Sequence, residues 1–436
     1  MNRPNLLWIP NPALLVRALR FFSYLPLLGL SAAIALVKLI VYARLVSAEE
    51  YGAISQMFLI GNTFGAFGGL GFYLNAQREL PSLFVRRRLL KMAILETQGI
   101  LVTSFSAAAC IATFLLFEAA SAPPPVIGGI GVAIGLFYGW AQACFVIVNL
   151  NARSRLEMIS HSRDLVIRAA GSLAIGIVAI RLGYHSRTIV LVESLFTLAS
   201  FLWIARGIVL ETGAGAARLA WMAAWRLKYA AWRAAVILMF SSLFAFFSNA
   251  LDRWLAATFL DLRQFGYYAF AWTPIAAGQA LQYLIGASVV PLIARRYWAA
   301  SARGAFRLTA AFSLGFAVIG LVSAVAIYPF IATAIGRWFP QQISATTLVE
   351  PLLFAAIFRV ADFWSSFLIV VRQEALLLNL QIASLVIAGA SYSTFTFARD
   401  VLPTAHSLAI LAAGLSIMNF MLCGAAAWLN RGVSQA

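Results

Sequence analysis

Seven ionisable side chains lie within long apolar stretches of this 436-residue sequence: Lys38, Arg168, Glu193, Asp252, Arg253, Arg359 and Asp362. A charge at such depth is costly, so it faces a partner or a water-filled cavity. Guanidinium groups offer a forked set of donors to a carboxylate or phosphate, and buried acids can carry a proton or Na+. Lys38, Arg253 and Arg359 are therefore expected to line a cationic, anion-binding cavity. Asn249, one helical turn before Arg253, is expected on the same face. Asp252, Asp362 and Glu193 are the candidates for gating or ion coupling. Plainer roles compete with these. Arg359 and Asp362, three residues apart, would neutralise each other. Lys38 and Asp252 would form an ion pair, either structural or closing an outer gate. Arg168, near the end of its run, would snorkel to the headgroups.

The elements that must hold these residues are membrane helices. The chain is 62% hydrophobic and 11% charged, far from the balance of a soluble domain. The apolar residues fall in runs of about 20 or more, long enough to cross a bilayer. In lipid the backbone must satisfy itself, and runs this long exclude barrel strands. The expected spans are 24–44, 51–74, 92–117, 126–150, 164–183, 187–206, 234–259, 265–292, 306–330, 347–371, 375–398 and 404–429. Pro123, Pro124 and Pro125 force one break, and Pro340 and Pro403 mark others.

Net charge is +17, which in a soluble protein would suggest nucleic acid. Here the cations are placed by topology. Twenty-two of the 32 lie before the first span or in alternate loops, beginning with Arg3, Arg17 and Arg20, and six in the opposite set. Positive charge stays in the cytoplasm, so both termini are expected inside. The first run is too long for a removable signal peptide and has no small-residue cleavage site. The connection at 207–233 interleaves Trp221, Trp225, Arg226, Lys228, Tyr229, Trp232 and Arg233, the pattern of a helix in the headgroup region. It divides an N-terminal lobe, 1–206, from a C-terminal lobe, 234–436.

The halves are related. Aligning Gly52 with Gly266 pairs Tyr51 with Phe265, Glu50 with Gln264 and Lys38 with Asp252. Six spans separate the copies, so both insert in one orientation, as a parallel repeat with its pseudo-two-fold axis along the membrane normal. Glycines at 61, 65 and 69 and at 131, 135 and 139 would let helices approach closely.

Enzyme chemistry has little footing. Cys110, Cys144 and Cys423 sit alone in apolar runs, and His161, His185 and His406 have no Cys or acid at metal or triad spacing. No P-loop or H-E-x-x-H motif occurs. No metal or cofactor is expected. A polysaccharide-assembly membrane enzyme would need a sizeable outer loop, and the longest here is about 16 residues.

The stretch from Lys38 to Gly71, with Arg44-Leu45 and then Glu49-Glu50-Tyr51-Gly52, resembles the opening of Wzx-type polysaccharide-export flippases. So does Ser248-Asn249-Ala250-Leu251-Asp252-Arg253 through Gln264-Phe265-Gly266-Tyr267-Tyr268 to Pro291 and Arg295-Arg296. These flippases belong to the MATE-like (multidrug/oligosaccharidyl-lipid/polysaccharide) superfamily. The resemblance implies an all-α, two-lobed bundle of about twelve helices, working by alternating access in the bacterial inner membrane. The cargo it implies is an undecaprenyl-diphosphate-linked oligosaccharide, flipped to the periplasmic leaflet for O-antigen, capsule or exopolysaccharide. Lys38, Arg253 and Arg359 would then hold the diphosphate and Asn249 a sugar hydroxyl. Membrane lipids, a coupling H+ or Na+ and the polysaccharide polymerase machinery are the implied partners. The chain lacks the two extra C-terminal helices of lipid II flippases. A cation-coupled exporter of small amphiphiles on the same fold stays open.

Overall fold

A computed structural model describes residues 24–120, 127–227, 232–299, 301–399 and 404–432. Arg3, Arg17, Arg20, Pro123, Pro124, Pro125, Lys228, Tyr229 and Pro403 lie outside the described residues. The described chain is helical throughout. Its first part is α1 Leu25–Leu45, α2 Ala48–Phe67, α3 Phe72–Val85, α4 Leu89–Ala120, α5 Gly128–Ser154, α6 Met158–Arg181 and α7 Ser186–Thr212. A short helix, α8 Ala214–Ala224, leads to the second part. That part is α9 Trp232–Phe259, α10 Leu262–Ala271, α11 Thr273–Ala299, α12 Ala302–Trp338, α13 Thr346–Ala361, α14 Trp364–Val370, α15 Glu374–Arg399 and α16 Ala405–Leu429.

Among the described residues nine helices are long and apolar enough to cross a membrane, or ten if α2 and α3 make one broken span. The chain is a multi-pass helical membrane protein. The expected runs at 164–183 and 265–292 are helical but are not among the nine. α6 carries Arg163, Asp164, Arg168 and Arg181, and the other run is split at Trp272 into α10 and α11. α7 continues to Thr212, so the connection between the halves is shorter than 207–233, and much of it is α8.

Local chemistry explains the ends. Ser47 caps α2 by accepting from Glu50 N at 3.2 Å, and Asp261 caps α10 by accepting from Gln264 N at 2.7 Å. Each cap satisfies an orphan amide of the first turn. The two capping residues occupy matching places in the repeat, each five residues before the aligned glycine. Leu70 (φ 44°) and Gly71 (φ 77°) turn left-handed, which ends α2 and bends α3 away from it by 56°. Asp362 breaks α13 from α14 without a proline or glycine, at φ −76° and ψ 77°.

Each part packs chiefly within itself. α2 lies on α5, α5 on α7 and α1 on α6; in the second part α13 lies on α16 and α11, and α12 on α13. α2 and α5 cross where a Cβ on Gly139 would stand 2.4 Å from the Gly61 carbonyl oxygen. Only glycine permits backbones so close. Gly65, in the middle of the stripe, has nothing within 4 Å of its would-be Cβ, while at its far end a Cβ on Gly69 would meet Thr103 Oγ1 at 3.3 Å.

Between the parts, α2 meets α10 and α9, and α1 meets α11. At the α2–α10 crossing a Cβ on Gly52 would fall 2.0 Å from Leu262 O, and one on Gly266 would fall 1.9 Å from Ala48 O. Leu262 precedes Gly266 by four residues, as Ala48 precedes Gly52. The contact is therefore reciprocal, as at a two-fold axis. The residues aligned in sequence meet each other in space.

Candidate functional site

The first-lobe site starts from α1, which places Lys38 and Tyr42 one turn apart facing α7. Glu193, 0% exposed, accepts from Lys38 Nζ at 2.6 Å and from Tyr42 Oη at 2.5 Å. An unpaired carboxylate here would carry a large desolvation cost, and two donors offset it. Tyr42 reaches it across Gly176 of α6, where a Cβ would lie 1.5 Å from the phenol oxygen. Lys38 Nζ also sits 4.7 Å from the Phe58 ring centroid, a favourable cation–π contact.

Lys38 and Arg168 face a cavity of about 430 Å³, together with Asn62, Tyr138, Gln142 and Ser172. The Arg168 guanidinium donates to the Gln142 amide oxygen and lies 4.9 Å over the Phe145 ring, while its Nε has no partner. No Asp or Glu lines this cavity among the described residues. Glu193 stands behind Lys38. The first-lobe cavity thus presents two cations and neutral polar groups.

In the second lobe Asp252, also 0% exposed, accepts from Tyr268 Oη at 2.7 Å and from Arg359 Nη2 at 3.5 Å. Arg359 also donates from Nε to Ser416 Oγ at 2.9 Å and from Nη1 to the Asn249 carbonyl at 2.8 Å. The fork thereby ties α13 to α9 and α16, which suits Arg and not Lys. Arg359, Asn249, Gln282, Asp362, Ser416 and Asn419 are among the residues lining a second cavity of about 230 Å³. At the α13–α14 break Asp362 accepts from Ser365 Oγ at 2.6 Å, Ser365 N at 3.3 Å and Asn419 Nδ2 at 3.3 Å.

These placements revise several expectations. Lys38 and Asp252 do not pair: each is satisfied inside its own lobe, by Glu193 and by Arg359 with Tyr268. The contact between them that an outer gate would use is not made in this structure. Arg359 pairs with Asp252 instead of Asp362, because the helix ends at Ala361 and the carboxylate turns to Ser365. One cationic cavity becomes two cavities: Lys38 lines the first, and Arg359 and Asn249 the second. Arg253 lines neither and lies 3.9 Å over the Trp272 ring centroid, its Nε without a partner. Arg168 does not reach for headgroups; it is a cavity residue. The signal for it was Ser172 one turn on, which gives α6 a polar face. Glu50 of the Glu-Glu-Tyr-Gly turn has a structural place, accepting from Ser186 N at 2.7 Å and so capping α7.

No protein-family model matches the chain, and no curated protein matches it. Solved structures do. One is a multidrug resistance MATE family transporter of the MOP superfamily in an inward-facing conformation. It aligns over 93% of this chain and 93% of its own, with a TM-score of 0.58 at 15% identity. A MATE protein in complex with Br-NRF aligns over 94% and 95%, with a TM-score of 0.54 at 12% identity. An aspartate-to-asparagine mutant of the Vibrio cholerae MATE transporter VcmN aligns over 94% and 95%, with a TM-score of 0.51 at 16% identity. At such identities the likeness is one of fold: the chain has the MATE transporter fold.

Proposed function

We propose that the chain is an alternating-access transporter that flips a diphosphate-linked lipid oligosaccharide between bilayer leaflets. The observation that carries this reading is the first-lobe cavity, where Arg168 stands without an acid partner among the described residues, its Nε unbonded, beside Lys38, which Glu193 backs from outside the lining. A diphosphate needs cationic donors at membrane depth, and the Arg168 guanidinium is such a donor with no acid to satisfy it. The second cavity supports the sugar half of the cargo. Asn249, Gln282, Gln381, Ser416 and Asn419 supply amides and a hydroxyl, the groups that exchange hydrogen bonds with sugar hydroxyls. Arg359 lines that cavity but spends its donors on Ser416, Asn249 and Asp252, so its part is to hold the wall. Asp362 has no cation among its hydrogen-bond partners, which makes it the coupling-ion candidate; Glu193 and Asp252 neutralise Lys38 and Arg359.

The solved structures similar to this chain are transporters, and the reading is transport without chemistry on the cargo. By the positive-inside rule the Gly52–Gly266 contact would face the periplasm, with the protein closed on that side. The cargo would then enter from the cytoplasmic leaflet and leave towards the polysaccharide polymerase machinery.

The test is flipping in proteoliposomes. A fluorescent polyprenyl-diphosphate oligosaccharide is placed in one leaflet, and its loss to a membrane-impermeant quencher is followed. The wild-type chain should move it. Arg168→Gln should slow it at least tenfold at unchanged protein level. Failure to move this cargo, with uptake of a cationic dye instead, would replace the reading with the exporter.

A further inference from the structure

A third cavity, of about 490 Å³, is separate from both sites above and is built by different elements: α3, α4 and the end of α8. Arg78 on α3, Lys91 on α4 and Arg226 after α8 surround it, and Glu79, bound to Arg78 at 3.1 Å, offsets one of the three. Leu83, Leu95 and Ala223 give it an apolar wall. Asn75, 3% exposed, lies on its lining, and its Oδ1 has no hydrogen-bond partner in the protein. A buried acceptor left unpaired is costly, and a donor on a ligand would offset that cost.

The surroundings fix the depth. Exposed Arg86, Arg87 and Arg88 follow α3, a cluster of the kind held at the cytoplasmic membrane surface. Trp221 on α8 and Trp225 at its end stay about half exposed, and Trp225 lies edge-on to Phe105 at 5.7 Å. Tryptophan settles at the boundary of hydrocarbon and headgroup. The cleft therefore combines net positive charge, an apolar wall and an unused acceptor at the level of lipid headgroups.

We infer that this cleft is a binding site for an anionic phospholipid of the cytoplasmic leaflet. Arg78, Lys91 and Arg226 hold the phosphate, and Asn75 accepts from a headgroup hydroxyl. A phosphatidylglycerol-type headgroup has both features; a phosphatidylcholine has neither net charge nor a donor. This assignment is independent of the cargo proposed for the two lobe cavities.

The experiment is native mass spectrometry of the detergent-solubilised full chain, titrated with phosphatidylglycerol and with phosphatidylcholine of the same acyl chains. Phosphatidylglycerol should bind preferentially. A basic residue near an anionic surface contributes about 1 kcal/mol, so the Arg78→Gln, Lys91→Gln, Arg226→Gln triple variant should weaken that binding on the order of a hundredfold. Ala223→Trp, which fills the cleft and keeps every charge, should block it too, and covers the case where the triple variant folds poorly. Equal binding of the two lipids, or phosphatidylglycerol binding unchanged in Ala223→Trp, overturns the site. Competition by glycerol phosphate at the same concentration, with no gain from acyl chains, overturns the lipid as its source.

Discussion

The reciprocal glycine contact gives the most exacting prediction. In Gly52→Ala the new methyl would stand 2.0 Å from the Leu262 carbonyl oxygen, and real Cβ contacts essentially never fall below 3.0 Å. The obstacle is backbone, which cannot rotate away as a side chain could. α2 and α10 must therefore part by about 1 Å or more, and overpacking of this kind costs about 1–3 kcal/mol. At about 2 kcal/mol the ratio of joined to parted ends changes roughly thirtyfold. The assay is a spin-label distance between Glu49→Cys and Arg263→Cys, exposed residues at matching places in the repeat. Both are made in a background where Cys110, Cys144 and Cys423 are replaced. Gly52→Ala should move most of the population to a longer distance, as should Gly266→Ala. Gly207→Ala, which meets nothing within 4 Å, should leave it unchanged. An unaltered distance in a well-folded Gly52→Ala protein would refute the view that this crossing holds the lobes together.

Glu193→Gln leaves Lys38 half-partnered in a buried place and should lower stability by about 3 kcal/mol; a thermal melt in detergent should show most of it restored by adding Lys38→Gln. Gly176→Ala should push Tyr42 off Glu193 and cost about 2 kcal/mol, the value of a hydrogen bond to a charged group. In Tyr42→Phe the same change should then cost less, a non-additivity that a double-mutant cycle measures. Arg359→Lys cannot span Ser416, the Asn249 carbonyl and Asp252 together; a melting temperature equal to wild type would show that the fork is dispensable.

The features that follow from local rules were legible in the sequence. Membrane class and the alignment of Gly52 with Gly266 came from run length and spacing; the close contact of these glycines and the Ser47 and Asp261 caps emerge only in the structure, though the caps obey local rules. Partner choice among the buried charges was not legible. Lys38 and Glu193 are 155 residues apart, and only the packing of α1 on α6 and of α6 on α7 brings them together. Reasoning by symmetry put Lys38 opposite Asp252, but the axis runs between Gly52 and Gly266, and both side chains turn into their own lobes. The Asp362 break was also hidden: prolines at 329 and 351 sit inside continuous helices, while the chain unwinds at a residue with no such mark. Arg168 was misplaced because nearness to a helix end was weighed above the polar face it shares with Ser172.

The private neutralisation of each lobe bears on how the protein is made. A chain emerging into a membrane exposes its early helices to lipid long before its late ones exist. Had Lys38 depended on Asp252, an uncompensated ammonium would have waited through six further spans. Glu193 closes that account on α7, before the connecting helix is reached, and Asp252 finds Tyr268 only 16 residues later and Arg359 107 residues later. The Lys38–Glu193 pair of the first lobe can thus form during synthesis, before the second lobe exists, and the second assembles against a surface already in place.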